Sequence, residues 1–263
     1  MPFWTWTGIK AGRAATQWPQ RGEDGQEGVL GMPRWHAENC QSECQNCADS
    51  CPTQAISIAG GQIVIDYGRC IVCQSCVEAC PSGAMQPSGD WAFAVRQRAD
   101  LHWQETMNSS AAQELQTRVA RSLRHSLHIK HVDAGSCNGC ESEIGALDNP
   151  FYNLHRLGIF FTPSPRFADL LLVTGPVTAP MHEPLLRTWE AMPEPRLVLA
   201  TGTCAVSGAP MDQGYAGGSG LEDLLPVDVW LPGCPPNPAA LIHALLLLLE
   251  RQPQHVHGGR YAD

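Results

Sequence analysis

CQSECQNCADSCP (Cys40–Pro52) and CIVCQSCVEACP (Cys70–Pro81) decide the architecture of the first half of this chain. As spacings they read Cys40-x3-Cys44-x2-Cys47-x3-Cys51-Pro52 and Cys70-x2-Cys73-x2-Cys76-x3-Cys80-Pro81. Thiolates at such intervals wind the backbone around a cuboidal 4Fe-4S cluster, three of them reaching three irons from one short loop. The fourth ligand must come from elsewhere. Where two such loops occur together, it is the Cys-Pro cysteine of the other loop. The pattern predicts one site of Cys40, Cys44, Cys47 and Cys80, a second of Cys70, Cys73, Cys76 and Cys51, and electron transfer as the first functional reading.

Cys44, Cys47 and Cys51 recur at a constant offset of 29 as Cys73, Cys76 and Cys80. Between the loops, Ala55-Ile56-Ser57-Ile58 and Gln62-Ile63-Val64-Ile65-Asp66 alternate apolar and polar residues across Gly60-Gly61, a hairpin signal. Residues 39–99 therefore read as a small α+β, two-cluster ferredoxin-like domain with approximate two-fold symmetry. Its large apolar residues are few, so ligation should supply much of its stability. The extra residue between Cys40 and Cys44 lengthens one arm of the cage without removing a ligand.

The whole chain has 263 residues, a net charge of −9 and 43% apolar residues. That length fits one or two domains with sizeable cores, and the acidic balance argues against a nucleic-acid partner. MPFWTWTGIKAGRAATQWPQ (Met1–Gln20) has no continuous apolar core and no twin arginine, so export is not expected. In a reducing cytosol, twelve cysteines point to metal rather than to disulfides. The longest apolar run, Ala239 to Leu249 broken by His243, falls short of the roughly 20 residues that span a bilayer. A role at a membrane would then require docking on an embedded partner.

Residues 1–38, rich in Gly, Pro and Trp, read as an extended arm with at most one short helix. Residues 100–127 read as a connector helix. Its stripe is Leu115, Val119, Leu123 and Leu127, with Arg118, Arg121 and Arg124 on other faces. From 128 to 252 strand and helix alternate. His128–Val132, Leu170–Thr174, Arg196–Ala200 and Val227–Leu231 read as buried strands, and Met181–Met192 and Pro238–Arg251 as helices. That order predicts an α/β domain with a mainly parallel, flavodoxin-like sheet covered by helices on both faces. Residues 253–263 form a polar tail carrying His255 and His257. Tyr215–Gly220 is glycine-rich but neither follows a strand nor opens a helix, so it reads as a flexible surface loop near Cys204, not a nucleotide site. His36 has two readings, donation to a cluster sulfur or packing on the arm.

Cys137, Cys140, Cys204 and Cys234 are spread over about a hundred residues. Each follows a predicted strand, and ligands of open parallel sheets bind at the carboxyl ends of strands, so the four should converge on one edge. Gly135, Gly139, Gly202, Gly208 and Gly233 flank them, as close approach of backbone to a bulky group requires. Spacing alone leaves three readings: a third cluster, a structural zinc site, or a redox Cys-x-x-Cys pair.

Four runs in this half resemble a known family: AGSCNGCESEI (Ala134–Ile144), ADLLLVTGPVT (Ala168–Thr178), ATGTCAVSG (Ala200–Gly208) and VDVWLPGCPPNP (Val227–Pro238). They are similar to the small subunit of membrane-bound, energy-converting nickel-iron hydrogenases of the formate hydrogenlyase type, itself related to the small subunit of respiratory complex I. The first half, with its opening GIKAGRAATQWP (Gly8–Pro19), resembles the two-cluster ferredoxin subunit of the same complexes, here fused. Cys137 and Cys140, separated by Asn138 and Gly139, follow the hydrogenase form; the complex I branch carries adjacent cysteines there.

The resemblance implies three 4Fe-4S clusters. Cys137, Cys140, Cys204 and Cys234 would hold the one nearest a nickel-iron centre in a separate large subunit. No residue here supplies nickel ligands, because every cysteine is assigned and a further Cys-x-x-Cys pair is absent. Implied partners are that large subunit, membrane-embedded subunits, and an electron-donor module: formate dehydrogenase, another dehydrogenase or a ferredoxin. The implied location is the cytoplasmic face of the cell membrane, peripheral through those partners. Ser136, Asn138 and Thr203 are candidates for hydrogen bonds to cluster sulfur. Glu141 and Glu143 follow the cysteine pair; Glu141 has two readings, a proton relay or a carboxylate set against a helix dipole. The competing functions are an electron-transfer subunit of a complex I-like or hydrogenase-related oxidoreductase lacking nickel, a ferredoxin-type carrier with a partner-binding domain, and a zinc-stabilised scaffold.

Overall fold

A computed structural model describes residues 3–11, 30–41, 44–59, 62–103, 123, 125–212 and 214–254. The first element is the short helix α1 (Phe3–Ala11) of the arm. Phe3, Trp4, Trp6 and Ile9 on it are exposed. The connector stripe at Leu115 and Val119 and the tail histidines His255 and His257 lie outside the described residues. Leu127, expected at the end of that connector helix, instead opens a strand, since its side chain is fully buried in the second half's core.

In the first half the elements are β1 (Arg34–Trp35), α2 (Asn46–Asp49), β2 (Ile56–Ala59), β3 (Gln62–Asp66), α3 (Ser75–Glu78), β4 (Met85–Gln86) and β5 (His102–Trp103). The hairpin forms with Ile56 opposite Ile65 and Ile58 opposite Ile63. Alternation puts Ile63 and Ile65 inward, and β5 adds a third antiparallel strand that the sequence pattern did not reveal. β1 pairs with β4, closing the module on itself. The repeat is visible in the backbone too: Gln54 (φ 53°) and Gly83 (φ +67°), 29 residues apart, both take the left-handed turn after their Cys-Pro pair.

The second half contains β6 (Leu127–Asp133), α4 (Gly139–Ala146), β7 (Ile159–Phe161), β8 (Leu170–Thr174), α5 (Ala179–Glu190), β9 (Leu197–Thr201), α6 (Thr203–Ser207), β10 (Val229–Leu231) and α7 (Pro238–Leu248). All neighbours in the sheet are parallel, in the order β10-β9-β8-β6-β7. In chain order this is 2-1-3-4-5, the flavodoxin-like winding. β8 and β9 are buried on both faces, which is why they read as continuous apolar runs.

Side chains alternate across those strands and so divide the core in two. Leu170, Leu172, Leu197, Leu199, Val229 and Leu231 face α7, which is wholly buried and apolar except for His243. Leu171, Val173, Val198, Ala200 and Trp230 face the other way, into one cluster with Leu185 of α5 and with Ile63, Ile65, Tyr67, Phe93 and Leu101 of the first half. Helices on both faces were expected; on this second face the two-cluster module shares the covering with α5. Val95 also exchanges backbone hydrogen bonds of 2.9 and 2.8 Å with Trp230, covering the exposed edge of β10.

Candidate iron-sulfur sites

The two loops of the first half carry Cys47 on α2 and Cys76 on α3, both buried, each one turn from its neighbours. Burial pushes the Cys70 thiol up to about 12 and the Cys76 thiol up to about 11. Repulsion from Cys51 and Cys73 raises both further, so the cysteine of the first Cys-Pro pair stands among those of the second loop. Burial raises Cys47 as well, followed by repulsion from Cys40 and Cys44. Cys47 in turn acts on Cys76, making the two groups neighbours.

Backbone amides point at these sulfurs. The N–H of Ala55 donates to Cys51 Sγ at 3.2 Å, that of Val72 to Cys70 Sγ at 3.4 Å and that of Met85 to Cys80 Sγ at 3.4 Å. Hydroxyls repeat with the 29-residue offset, Thr53 Oγ1 lying 3.7 Å from Cys51 Sγ and Ser82 Oγ 3.7 Å from Cys80 Sγ. Burial raises the Cys80 thiol, but the Met85 amide and Ser82 hydroxyl outweigh it and hold it below the ordinary thiol range. Donors aimed at sulfur stabilise thiolate, the form that binds iron.

The turn carrying the second loop is pinned by charge. Asp66 accepts 3.0 and 2.9 Å bonds from Arg98 and a 2.8 Å bond from the Gly68 amide. Gly68 leaves the room: a Cβ there would sit 2.6 Å from the Arg98 guanidinium carbon. His36 packs on the module through its backbone, donating to Ala84 O at 2.8 Å, with its ring 3.6 Å from Glu38.

The third set gathers from three strand ends. Cys137 lies in the turn into α4 after β6 and Cys140 in the first turn of α4, Cys204 on α6 after β9, and Cys234 in the loop after β10. Burial pushes the Cys204 thiol up to about 11, aided by Cys234 and Cys137; Cys140 is raised still more, by burial and then by Glu141, Cys204, Cys234 and Cys137. The four cysteines are thus brought together. Gly202 (φ +88°) makes the approach possible, since a Cβ on it would lie 2.7 Å from Cys140 Sγ. A cavity of about 420 Å³ opens over the set, lined by Cys137, Cys204, Cys234, Thr178, Met211 and Tyr215. Cys137 and Cys234 are exposed.

Among the described residues no three His, Cys, Asp or Glu side chains are arranged to hold a single metal ion. One tetrahedral zinc would draw its sulfurs to within about 3.8 Å of each other, from Zn–S bonds of about 2.3 Å. All-sulfur donors set around a cavity, with glycine where a side chain would intrude, fit a bulky polynuclear group.

Several polar residues act differently from expectation. Ser136 Oγ donates to Glu141 Oε2 at 2.7 Å, and its amide and that of Gly135 donate to Asp133 Oδ1 at 2.7 and 2.9 Å. Asn138 takes the left-handed turn (φ 71°) that opens α4. Thr203 Oγ1 donates not to sulfur but to the carbonyl of Cys70, at 2.9 Å. Glu141 is held by Ser136 and by the Thr174 hydroxyl, with His131 Nε2 3.5 Å away and 3.0 Å from Thr174 Oγ1. Burial holds the His131 imidazole below its ordinary pKa, against the pull of Glu141. Burial raises the Glu143 carboxyl. The Tyr215–Gly220 run lies at the surface, with Tyr215 fully exposed, but its glycine backbone is packed: Gly218 donates to Pro176 O at 3.1 Å, and Cβ atoms on Gly217 and Gly218 would meet backbone oxygens at 2.3 and 2.6 Å.

Residues 137–248 match the family model described as NADH ubiquinone oxidoreductase, 20 Kd subunit, and residues 32–110 match the 4Fe-4S dicluster domain. A probable membrane-bound hydrogenase subunit of Pyrococcus furiosus is 39% identical over 154 residues, 57% of this chain and 92% of that protein. The chain belongs to this family of oxidoreductase subunits. Formate hydrogenlyase subunit 7 of Escherichia coli K12 is 39% identical over 152 residues, 58% of this chain. The match spans 59% of that relative's own length. Among solved structures, an archaeal membrane-bound sulfane sulfur reductase shares 36% identity over 49% of this chain and 71% of its own, with a TM-score of 0.45. The dicluster match supports 4Fe-4S clusters in residues 32–110. No described helix is long and apolar enough to cross a membrane.

Proposed function

We propose that this chain is the electron-transfer subunit of a membrane-associated, group 4 type nickel-iron hydrogenase complex, with three 4Fe-4S clusters. Cys40, Cys44, Cys47 and Cys80 hold the first, Cys70, Cys73, Cys76 and Cys51 the second, and Cys137, Cys140, Cys204 and Cys234 the third. The carrying observation is the gathering of the last four at the carboxyl edge of a parallel sheet, with a glycine where a side chain would strike Cys140. When bound, each cluster supplies one-electron storage and release.

The chain's own part is to hold, tune and shield. Amides of Ala55, Val72 and Met85 aimed at sulfur stabilise the more negative, reduced state, and burial of Cys47 and Cys76 opposes it, so the two effects set the potential between them. The exposure of Cys137 and Cys234 supports a subunit boundary at the third site, where a nickel-iron large subunit would close over the cavity. Proton reduction to dihydrogen, or its reverse, would occur in that subunit. Membrane-embedded subunits and a donor module, formate dehydrogenase, another dehydrogenase or a ferredoxin, complete the assembly, which sits peripherally on the inner face of the cell membrane.

Glu141 braces the Cys137–Cys140 turn through Ser136 and Thr174. A Glu141→Gln variant that keeps its iron but loses hydrogen evolution would mark it instead as a proton relay.

The test is metal analysis of anaerobically purified chain, expected to give about twelve irons per molecule from three four-iron clusters. Zinc in place of iron would end the reading. Isolation of the native complex with a large subunit carrying two Cys-x-x-Cys pairs supports hydrogen chemistry; a large subunit lacking them reassigns the chain to a complex I-like oxidoreductase.

A further inference from the structure

One side chain touches the backbone of two cysteine sites at once. Thr203, 1% exposed, precedes Cys204 on α6. Its hydroxyl donates to the Cys70 carbonyl at 2.9 Å and accepts from the Gly233 amide, beside Cys234, at 3.2 Å. Its own amide returns a 2.9 Å bond to Gly233 O. One buried hydroxyl thus joins the segment of Cys70 to the segments of Cys204 and Cys234.

Neighbouring residues extend the same seam. One turn along, Ser207 Oγ donates to Gly68 O at 2.8 Å. Arg69 pairs with Asp212 at 2.8 Å and also donates to Thr53 O at 2.9 Å, two residues past Cys51. Residues 203–212 therefore clasp Gly68–Cys70 from one side, while Asp66 and Arg98 fix that turn from the other. The hydroxyl's placement is specific: valine fills the same space but provides neither bond, leaving a buried carbonyl and a buried amide without partners.

We propose that Thr203 is the positioning residue for electron exchange between the Cys51/Cys70/Cys73/Cys76 site and the Cys137/Cys140/Cys204/Cys234 site. This rests on the assignment of clusters to those cysteines. In each exchange one electron leaves one cluster and enters the other; no bond is made and no proton moves. The path from Cys70 crosses its carbonyl, one hydrogen bond and the short Thr203 side chain to the peptide of Cys204. Thr203 both shortens that path and keeps the two ligand segments from drifting apart.

The experiment uses the full chain, loaded anaerobically, with Thr203→Val and Thr203→Ser beside the parent. Iron content is read first, then the magnetic interaction between the two reduced clusters by electron paramagnetic resonance, then the rate of electron equilibration after pulsed reduction. Expected for Thr203→Val is unchanged iron, a weakened magnetic interaction and slower exchange than in the parent, because the bond to the Cys70 carbonyl is lost. Thr203→Ser, which keeps the hydroxyl and both of its bonds, should match the parent in both readings. Parent-like interaction and exchange in Thr203→Val overturns the proposal. Should valine cost iron, Thr203→Ala, which adds no bulk, is judged by the same two readings. A parent chain lacking iron instead refutes the cluster assignment itself, so the two failures are distinguishable.

Discussion

The loops of residues 40–51 and 70–80 carry eight cysteines within 41 residues, whereas Cys137, Cys140, Cys204 and Cys234 ride on the ends of three strands about a hundred residues apart. The first arrangement is local. Short helical turns bring the thiols of each loop side by side, and the surrounding sheets of two and three short strands are slight. The second is built by topology: a five-stranded parallel sheet with α7 buried against it presents the cysteines at its edge. One region should depend on its metal to fold; the other should only depend on its fold to bind metal.

The sharpest way to break this contrast is to remove the clusters by anaerobic chelation and oxidation. Amide exchange at Ile63 and Ile65 of β3 should accelerate as the small module loses a binding term on the order of 10 kcal/mol, by analogy with structural metal sites. Exchange at Leu171 and Val173 of β8 should stay slow. Equal protection in both would erase the distinction.

Next in size is Arg98→Ala, which takes the guanidinium from the largely buried Asp66 and leaves it the Gly68 amide and His102. It should cost about 2 kcal/mol in the first half, the scale of lost hydrogen bonds to a charged group. Denaturant melts that resolve the module's signal should register the loss, and iron at the third site should persist. Gly202→Ala probes the opposite region. Its Cβ would lie 2.7 Å from Cys140 Sγ at φ +88°, with a backbone strain of about 1–3 kcal/mol. Iron should fall from about twelve toward about eight per chain, one four-iron site being lost. Unchanged iron would show that the third site tolerates displacement of Cys140.

The smallest effect is expected at Asp133. Burial pushes its carboxyl up, but the amides of Ser136 and Gly135 outweigh that and hold it below the usual carboxylate range. Its folded-state pKa lies below the unfolded one, so its stabilisation is complete above about pH 4 and fades as the pH falls further. Asp133→Ala should therefore loosen the Cys137 turn by about 1 kcal/mol at neutral pH, and the difference from the parent should shrink in acid. A difference independent of pH would remove the carboxylate from the account.

The loop spacing, the hairpin of residues 56–66 and the strand-then-cysteine order were legible because each rests on short-range periodicity. The resemblance to hydrogenase small subunits was legible in four runs lining the same sheet edge. Less visible were β5, two residues long, and β7, whose Ile159-Phe160-Phe161 gives no alternation to read. Leu127 misled because its apolar side chain fits a helical stripe and a strand equally well; burial in the sheet decided the matter. The glycines of 217–220 looked like slack, and only packing shows them pressed against carbonyl oxygens.

By itself the sequence determined which atoms are available to hold metal and how the chain segments alternate, since ligand type and hydrophobic period are written residue by residue. Tertiary structure alone decided that the two-cluster module covers one face of the parallel sheet, and that Thr203 meets Cys70 rather than a sulfur. Those contacts join residues more than a hundred positions apart, and no local spacing encodes the direction in which a buried hydroxyl will find its acceptor.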